Sequence, residues 1–174
     1  ALGGVARLGA VVGDDAAGSE LTALIDAEAG IEDVLVRPPG AVTIVKTRFV
    51  SAGQQLLRLD DEAAPARVED SDAFSEASVY LLSDYAKGVV GDALIAAALK
   101  AAKGSGAPVG VDPKGRDFAR YGAVDVIKPN ASELAAATGL PVGTDAEVEA
   151  ALDALLAATT AKAVVVTRAG KGMS

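Results

Sequence analysis

The chain has 174 residues, 51% of them hydrophobic, and its 16 basic and 24 acidic side chains leave a formal net charge of −8. That acidity opposes non-specific attraction to a nucleic-acid backbone or an anionic membrane, so any phosphate must be met by a local basic pocket. The chain has no cysteine and no histidine, which excludes disulfides, thiolate sites, the commonest general base and the usual zinc ligand. Acid–base chemistry falls to carboxylates and lysines.

No stretch reaches the roughly 18 apolar residues that span a bilayer, and the start lacks the charged-then-apolar order of a signal peptide, so a cytoplasmic location is expected. Length and hydrophobic content allow one domain with a real core. Ala1-Leu2-Gly3-Gly4 reads as the last turn and glycine cap of a helix whose body is absent, before an apolar run from Val5 to Val12. Gly13-Asp14-Asp15-Ala16-Ala17-Gly18 reads as a turn with an aspartate N-cap. The helix it opens carries Leu21, Leu24 and Ile25 on one face and closes at Gly30.

From Val34 to Asp60 the pattern turns β-rich: VLVRP, then TIVKTRFV, then QQLLRLD, with Ser51-Ala52-Gly53 as a hairpin turn. Lys46 and Arg48 are two apart and share a face, as do Arg58 and Asp60, and a hairpin would bring the pairs together. Such cations also serve simply to deter edge-to-edge pairing. Glu62 to Ser75 is acidic and poorly periodic, a surface connection.

Val79 to Leu82 is a buried strand ending in Ser83-Asp84-Tyr85-Ala86-Lys87-Gly88, a polar tip that an ordinary loop with an Asx turn would also explain. Asp92 caps a helix that runs through Lys103 and stops at Gly104. Strands at Ala107–Val111 and Ala123–Ile127 end in Asp112-Pro113-Lys114 and Lys128-Pro129-Asn130, as strands do at the ligand-binding edge of an α/β sheet. Pro129 stops the second, and Asn130-Ala131-Ser132-Glu133 opens a helix. There Asn130 and Glu133 have the spacing of a capping box, yet also sit at unpaired N–H groups suited to an anion and its metal. Thr144-Asp145-Ala146-Glu147 is a capping box with Val148, Leu152, Leu155 and Leu156 inward. Val164–Val166 is a central strand, followed by the turn Thr167-Arg168-Ala169-Gly170-Lys171-Gly172, which lacks Walker A spacing.

DPKG followed by KPNxSE resembles the PfkB (ribokinase-like) carbohydrate kinases, and SDYAKG narrows the resemblance to their heptose-7-phosphate kinase branch. The resemblance implies an α/β fold with a mainly parallel sheet, helices on both faces and a small β lid at about residues 34–60, and a kinase using ATP and Mg2+. Lys114, Asn130, Glu133, Thr167 and Gly172 would serve ATP, with Asn130 and Glu133 organising the magnesium through water. Lys46, Arg48, Arg58 and Lys87 would meet a sugar's phosphate, and Asp60 and Asp84 its hydroxyls. The implied substrate is D-glycero-β-D-manno-heptose 7-phosphate, phosphorylated at the anomeric hydroxyl. The implied partners are this sugar phosphate and ATP, with no nucleic acid or membrane, and a homodimer through the lid. The alternatives are another sugar or sugar phosphate, or a non-catalytic binding module.

The family pattern T-x-G-x-x-G is matched at Thr167 and Gly172, with Ala169 replacing its first glycine. The catalytic aspartate belongs to a downstream G-A-G-D, expected beyond Ser174. Gly122-Ala123-Val124-Asp125 precedes a strand and is rejected as that motif. Residues 1–174 are thus expected to be one incomplete kinase domain, without the N-terminal sugar-binding and C-terminal catalytic segments.

Overall fold

The computed structural model describes residues 3–62 and 77–174. It divides into two compact units, Ala1–Val68 and Glu69–Ser174. Ala1, Leu2 and the expected acidic connection beyond Glu62 lie outside the described residues.

In the first unit, β1 (Ala6–Leu8) and β2 (Ile31–Asp33) pair in parallel through α1 (Ala16–Asp26). Asp15 starts this helix: one carboxylate oxygen accepts the Gly18 N–H at 2.7 Å and the other the Thr43 N–H at 2.8 Å. A Cβ on Gly18 would lie 2.4 Å from the Gly13 carbonyl oxygen, so the turn requires glycine there. The helix ends at Asp26, before Gly30, and only Ile25 of the expected stripe is buried. Leu21 and Leu24 are exposed, because two three-residue strands offer too little surface to cover the whole stripe.

β3 (Val45–Ser51) and β4 (Gln54–Asp61) form the expected hairpin. Its two-residue turn, Ala52–Gly53, has φ of 48° and 77°, the left-handed pair that matches strand twist. The register sets Lys46 opposite Asp60 and Arg48 opposite Arg58. The other face carries Phe49, Leu57 and Leu59, all exposed. VLVRP does not form a third lid strand. It contributes a single parallel bridge from Val36 to Val11, since Pro38-Pro39 brings no N–H to a ladder.

The second unit holds a four-stranded, wholly parallel sheet in the order β5 (Tyr80–Ser83), β6 (Val109–Asp112), β7 (Val126–Ile127), β8 (Ala163–Val164). The connections contain α2 (Asp92–Ser105), α3 (Ala131–Thr138) and α4 (Asp145–Ala158). Right-handed crossovers along a monotonic strand order put every connection on the same face. The core agrees: Tyr80, Leu82, Val109, Val111 and Ile127 pack with Ile95, Ala98, Leu134, Val148 and Leu155 in one cluster. Within this unit the helices therefore gather on one side, and on the other Leu81 is 77% exposed.

Several boundaries differ from the sequence reading. α2 passes through Gly104, because the left-handed position that a glycine fills without strain is Gly106, at φ 73°. Asp92 is the first helical residue rather than the cap, which is Gly91. On α4 Ala151 is buried and Leu156 exposed. β8 is at an edge of the four strands, not the centre, and beyond it Val166 exchanges two main-chain hydrogen bonds with Ser174. No helix among the described residues is long and apolar enough to cross a membrane.

Candidate functional site

The parallel strands of the second unit end at one edge, and the sequence fills that edge with polar residues: SDYAKG after β5, DPKG from the end of β6, and KPN after β7. The Thr167–Gly172 turn follows β8. Ala131 N–H donates to the Thr167 carbonyl at 3.1 Å and Thr167 N–H to the Pro129 carbonyl at 3.0 Å, locking the start of α3 to this turn. An open cleft of about 710 Å³ lies there, walled by Asn130, Ala131, Ser132, Thr167, Arg168, Ala169, Gly172 and Met173. Asn130, Thr167 and Gly172, three of the residues expected around a nucleotide, thus meet in one place.

Asn130 and Glu133 form a complete capping box: Asn130 Oδ1 accepts the Glu133 N–H, and Glu133 Oε2 accepts the Asn130 N–H, both at 2.9 Å. The structural alternative is real, but it leaves Glu133 Oε1, which holds Lys114 Nζ at 2.8 Å. Burial pushes the Glu133 carboxyl up, yet the Asn130 N–H and the Lys114 ammonium outweigh it and hold it below the ordinary glutamate value. Lys114 is raised in return, chiefly by its hydrogen bond to Glu133. The first-turn N–H groups of Asn130, Ala131 and Glu133 are therefore occupied. Among the described residues, those of Ser132, Ala169 and Met173 have no protein acceptor and are the main-chain donors left in the cleft wall.

Gly172 sits at φ 84°, ψ −137°, a region essentially reserved for glycine. Ala169 has φ 50°, so the residue replacing the motif's first glycine still takes a left-handed backbone. Arg168, passed over in the sequence, is held by the Asp145 carboxylate and by Ser174 Oγ at 3.1 Å. That guanidinium keeps the Asp145 carboxyl below its usual value.

Asp84 is deeply engaged. Oδ1 accepts the Ala86 N–H at 2.7 Å, the Asx turn expected of an ordinary loop. Oδ2 accepts from Arg120 Nη1 at 2.9 Å and from the Tyr121 hydroxyl at 2.8 Å. Sequence reasoning missed both partners, which come from a 3-10 turn at Ala119–Tyr121 some 36 residues away. Burial pushes the Tyr121 phenol up to about 12. Lys87 is half-buried in the same tip.

In the hairpin, Lys46 reaches Glu62 at 2.7 Å and Asp60 at 3.3 Å, and Arg58 reaches Asp60 at 2.9 Å. Arg48 has no carboxylate partner among the described residues and is set directly opposite Arg58, a like-charge pair that the Asp60 carboxylate on Arg58 offsets in part. Asp125 of the rejected G-A-V-D stands at the opposite edge of the sheet, where it accepts from Val109 N–H at 2.7 Å and Lys162 Nζ at 2.6 Å. No group of three or more His, Cys, Asp or Glu side chains that could hold a metal occurs among the described residues.

This architecture is that of ribokinase-like proteins. The ribokinase of Giardia lamblia superposes with a TM-score of 0.77 at 18% identity, over 97% of this chain and 58% of that one. The ribokinase of Arabidopsis thaliana, solved with ribose and ATP, does so with a TM-score of 0.65 at 21% identity, over 97% and 55%. Residues 1–174 match the pfkB family carbohydrate kinases, and the chain belongs to that family. It is 46% identical, over 99% of its length, to a protein of Gluconacetobacter diazotrophicus named Bifunctional protein HldE, of which it spans 38%.

Proposed function

We propose that the protein is an ATP-dependent, Mg2+-requiring sugar kinase that phosphorylates D-glycero-β-D-manno-heptose 7-phosphate at its anomeric hydroxyl, in the cytoplasm. The observation that carries the reading is the cleft where Asn130, Thr167 and Gly172 converge, with N–H groups of Ser132, Ala169 and Met173 unclaimed. Family membership supports phosphoryl transfer, and the SDYAKG and DPKG resemblance supports the heptose. Phosphoryl transfer asks chiefly for positioning and charge stabilisation, and the cleft offers main-chain donors, with the Lys114 ammonium joined to its Asn130 wall through Glu133.

Asp84, Asp112 and Glu133 stand at this edge without forming a metal-binding cluster among the described residues, which fits a cation held mainly by nucleotide phosphates and its own waters. Asn130 and Glu133 would contact those waters, and the ion, when bound, neutralises charge on the phosphates. Arg48, Arg58, Lys46 and Lys87 are assigned to the sugar's phosphate, Asp60 and Asp84 to its hydroxyls. The base is assigned to an aspartate outside residues 1–174, and the exposed apolar face of the hairpin to a homodimer through the lid.

The test supplies full-length protein with MgATP and heptose 7-phosphate and follows ADP, with other sugar phosphates in parallel. Turnover with the heptose, reduced in Glu133→Gln together with a raised magnesium requirement, is the expected result. A preference for a different sugar would overturn the substrate. Binding without turnover would favour a non-catalytic module.

A further inference from the structure

We propose that Tyr121 is a positioning residue for the nucleotide end of the site, its buried hydroxyl fixing the Asp112–Gly115 turn so that Lys114 meets Glu133. The inference rests on the nucleotide reading above. The Tyr121 side chain is 0% exposed, and its oxygen lies 2.8 Å from Asp84 Oδ2 and 3.1 Å from the Lys114 nitrogen. A carboxylate only accepts, so the single phenolic hydrogen goes to Asp84 and the oxygen is left to accept the Lys114 N–H. Asp84 is itself fixed, by Ala86 and Arg120 at its carboxylate and by its own N–H on the Asp112 carbonyl at 2.9 Å.

From Lys114 the connection runs outward. Its ammonium lies 2.8 Å from Glu133 Oε1, Glu133 Oε2 takes the Asn130 N–H, and Asn130 walls the cleft. Phenylalanine at 121 would keep the ring against Phe118, 6.3 Å between centroids, and beneath the Arg120 guanidinium at 5.2 Å. It would delete only the oxygen that holds the turn.

The experiment measures MgATP affinity by calorimetry on full-length protein, for wild type, Tyr121→Phe, Glu133→Gln and the double variant. Loss of one hydrogen bond predicts a two- to tenfold weaker Kd, on the order of a single net bond, in Tyr121→Phe. The double variant should bind no more weakly than Glu133→Gln alone, because both act through the same contact. A purely structural tyrosine would lower the melting temperature while leaving Kd unchanged, and that result, or additive losses, would overturn the proposal. Wild-type protein that binds no MgATP would overturn the nucleotide reading and this inference with it, an outcome distinct from an unaltered variant. Should Tyr121→Phe fail to fold, hydrogen exchange at the Lys114 amide in wild-type protein decides: protection supports the bond, and exchange at the unprotected rate overturns it.

Discussion

Ala169→Gly should make the protein more stable, although the substitution deletes a methyl group and adds backbone freedom. Ala169 opens the 3-10 turn Ala169–Lys171 at φ 50°. A left-handed backbone costs an L-residue about 1–2 kcal/mol. Glycine escapes that cost but loses about 0.4–1 kcal/mol through its freer unfolded chain. The balance is a gain on the order of 1 kcal/mol, or a rise of about 2–4 °C in Tm for a chain of this size. Ala52, at φ 48° in the hairpin turn, provides an independent copy of the same backbone problem outside the cleft. Thermal unfolding of wild type, Ala169→Gly and Ala52→Gly, followed by scanning calorimetry, should give two upward shifts of similar size. A fall in Tm for Ala169→Gly, with Ala52→Gly raised, would mean that the methyl group makes contacts worth more than the strain, and would refute the argument at this turn.

Arg120→Met should cost about 2–4 kcal/mol, somewhat below the 3–5 kcal/mol of a fully buried pair, because the Asp84 side chain is 3% exposed and that of Arg120 is 29%. Denaturant unfolding measures it, and a loss under 1 kcal/mol would show that the pair is solvated. Spectrophotometric titration should find one of the three tyrosines ionising only near pH 12, and Tyr121→Phe should abolish that component. A raised phenol adds stability that is whole below the unfolded value of about 10 and is lost as pH climbs toward 12, so alkaline unfolding should begin in that window. At the acid end, Asp15, Asp125, Glu133, Asp145 and Glu147 are all held below their ordinary values of 3.8 and 4.5. Depressed carboxyls add stability that is present above the unfolded values and lost as pH falls through the folded ones, so Tm should be level above about pH 5 and drop below about pH 4. A profile flat to pH 3 would contradict these contacts.

What could be read from the sequence was local. The capping box at Thr144 and Glu147 and the N-cap at Asp15 announce themselves within four residues, because the same few atoms that make the motif make the bond. DPKG and KPNxSE marked the ends of β6 and β7, and Asn130 to Ser132 of the second wall the cleft. Hidden were contacts that only folding assembles. Tyr121 and Arg120 find Asp84 across 37 and 36 residues, and nothing beside them in GRDFARYGA signals an acid elsewhere. The one available hint was scarcity: with three Tyr and three Phe in the chain, a Phe and a Tyr three apart between two strands were strong candidates for the core. Gly104 misled because an interior glycine costs a helix only about 1 kcal/mol, which the packing of α2 through Ile95, Ala98 and Ala102 outweighs.

Asp125 gives the sheet a closed end. Its carboxylate joins the start of β6 to Lys162, just ahead of β8, while its main chain bonds Val109 on one side and Ala163 on the other, at 2.9 and 3.0 Å. Three neighbouring strands are tied where they begin, at the other end of β7 and β8 from the cleft. The loops at the opposite edge can therefore change in sequence and length without loosening strand register. A chemist wishing to retune the pocket should graft new DPKG-like or SDYAKG-like tips onto this frame and leave Asp125 and Lys162 untouched.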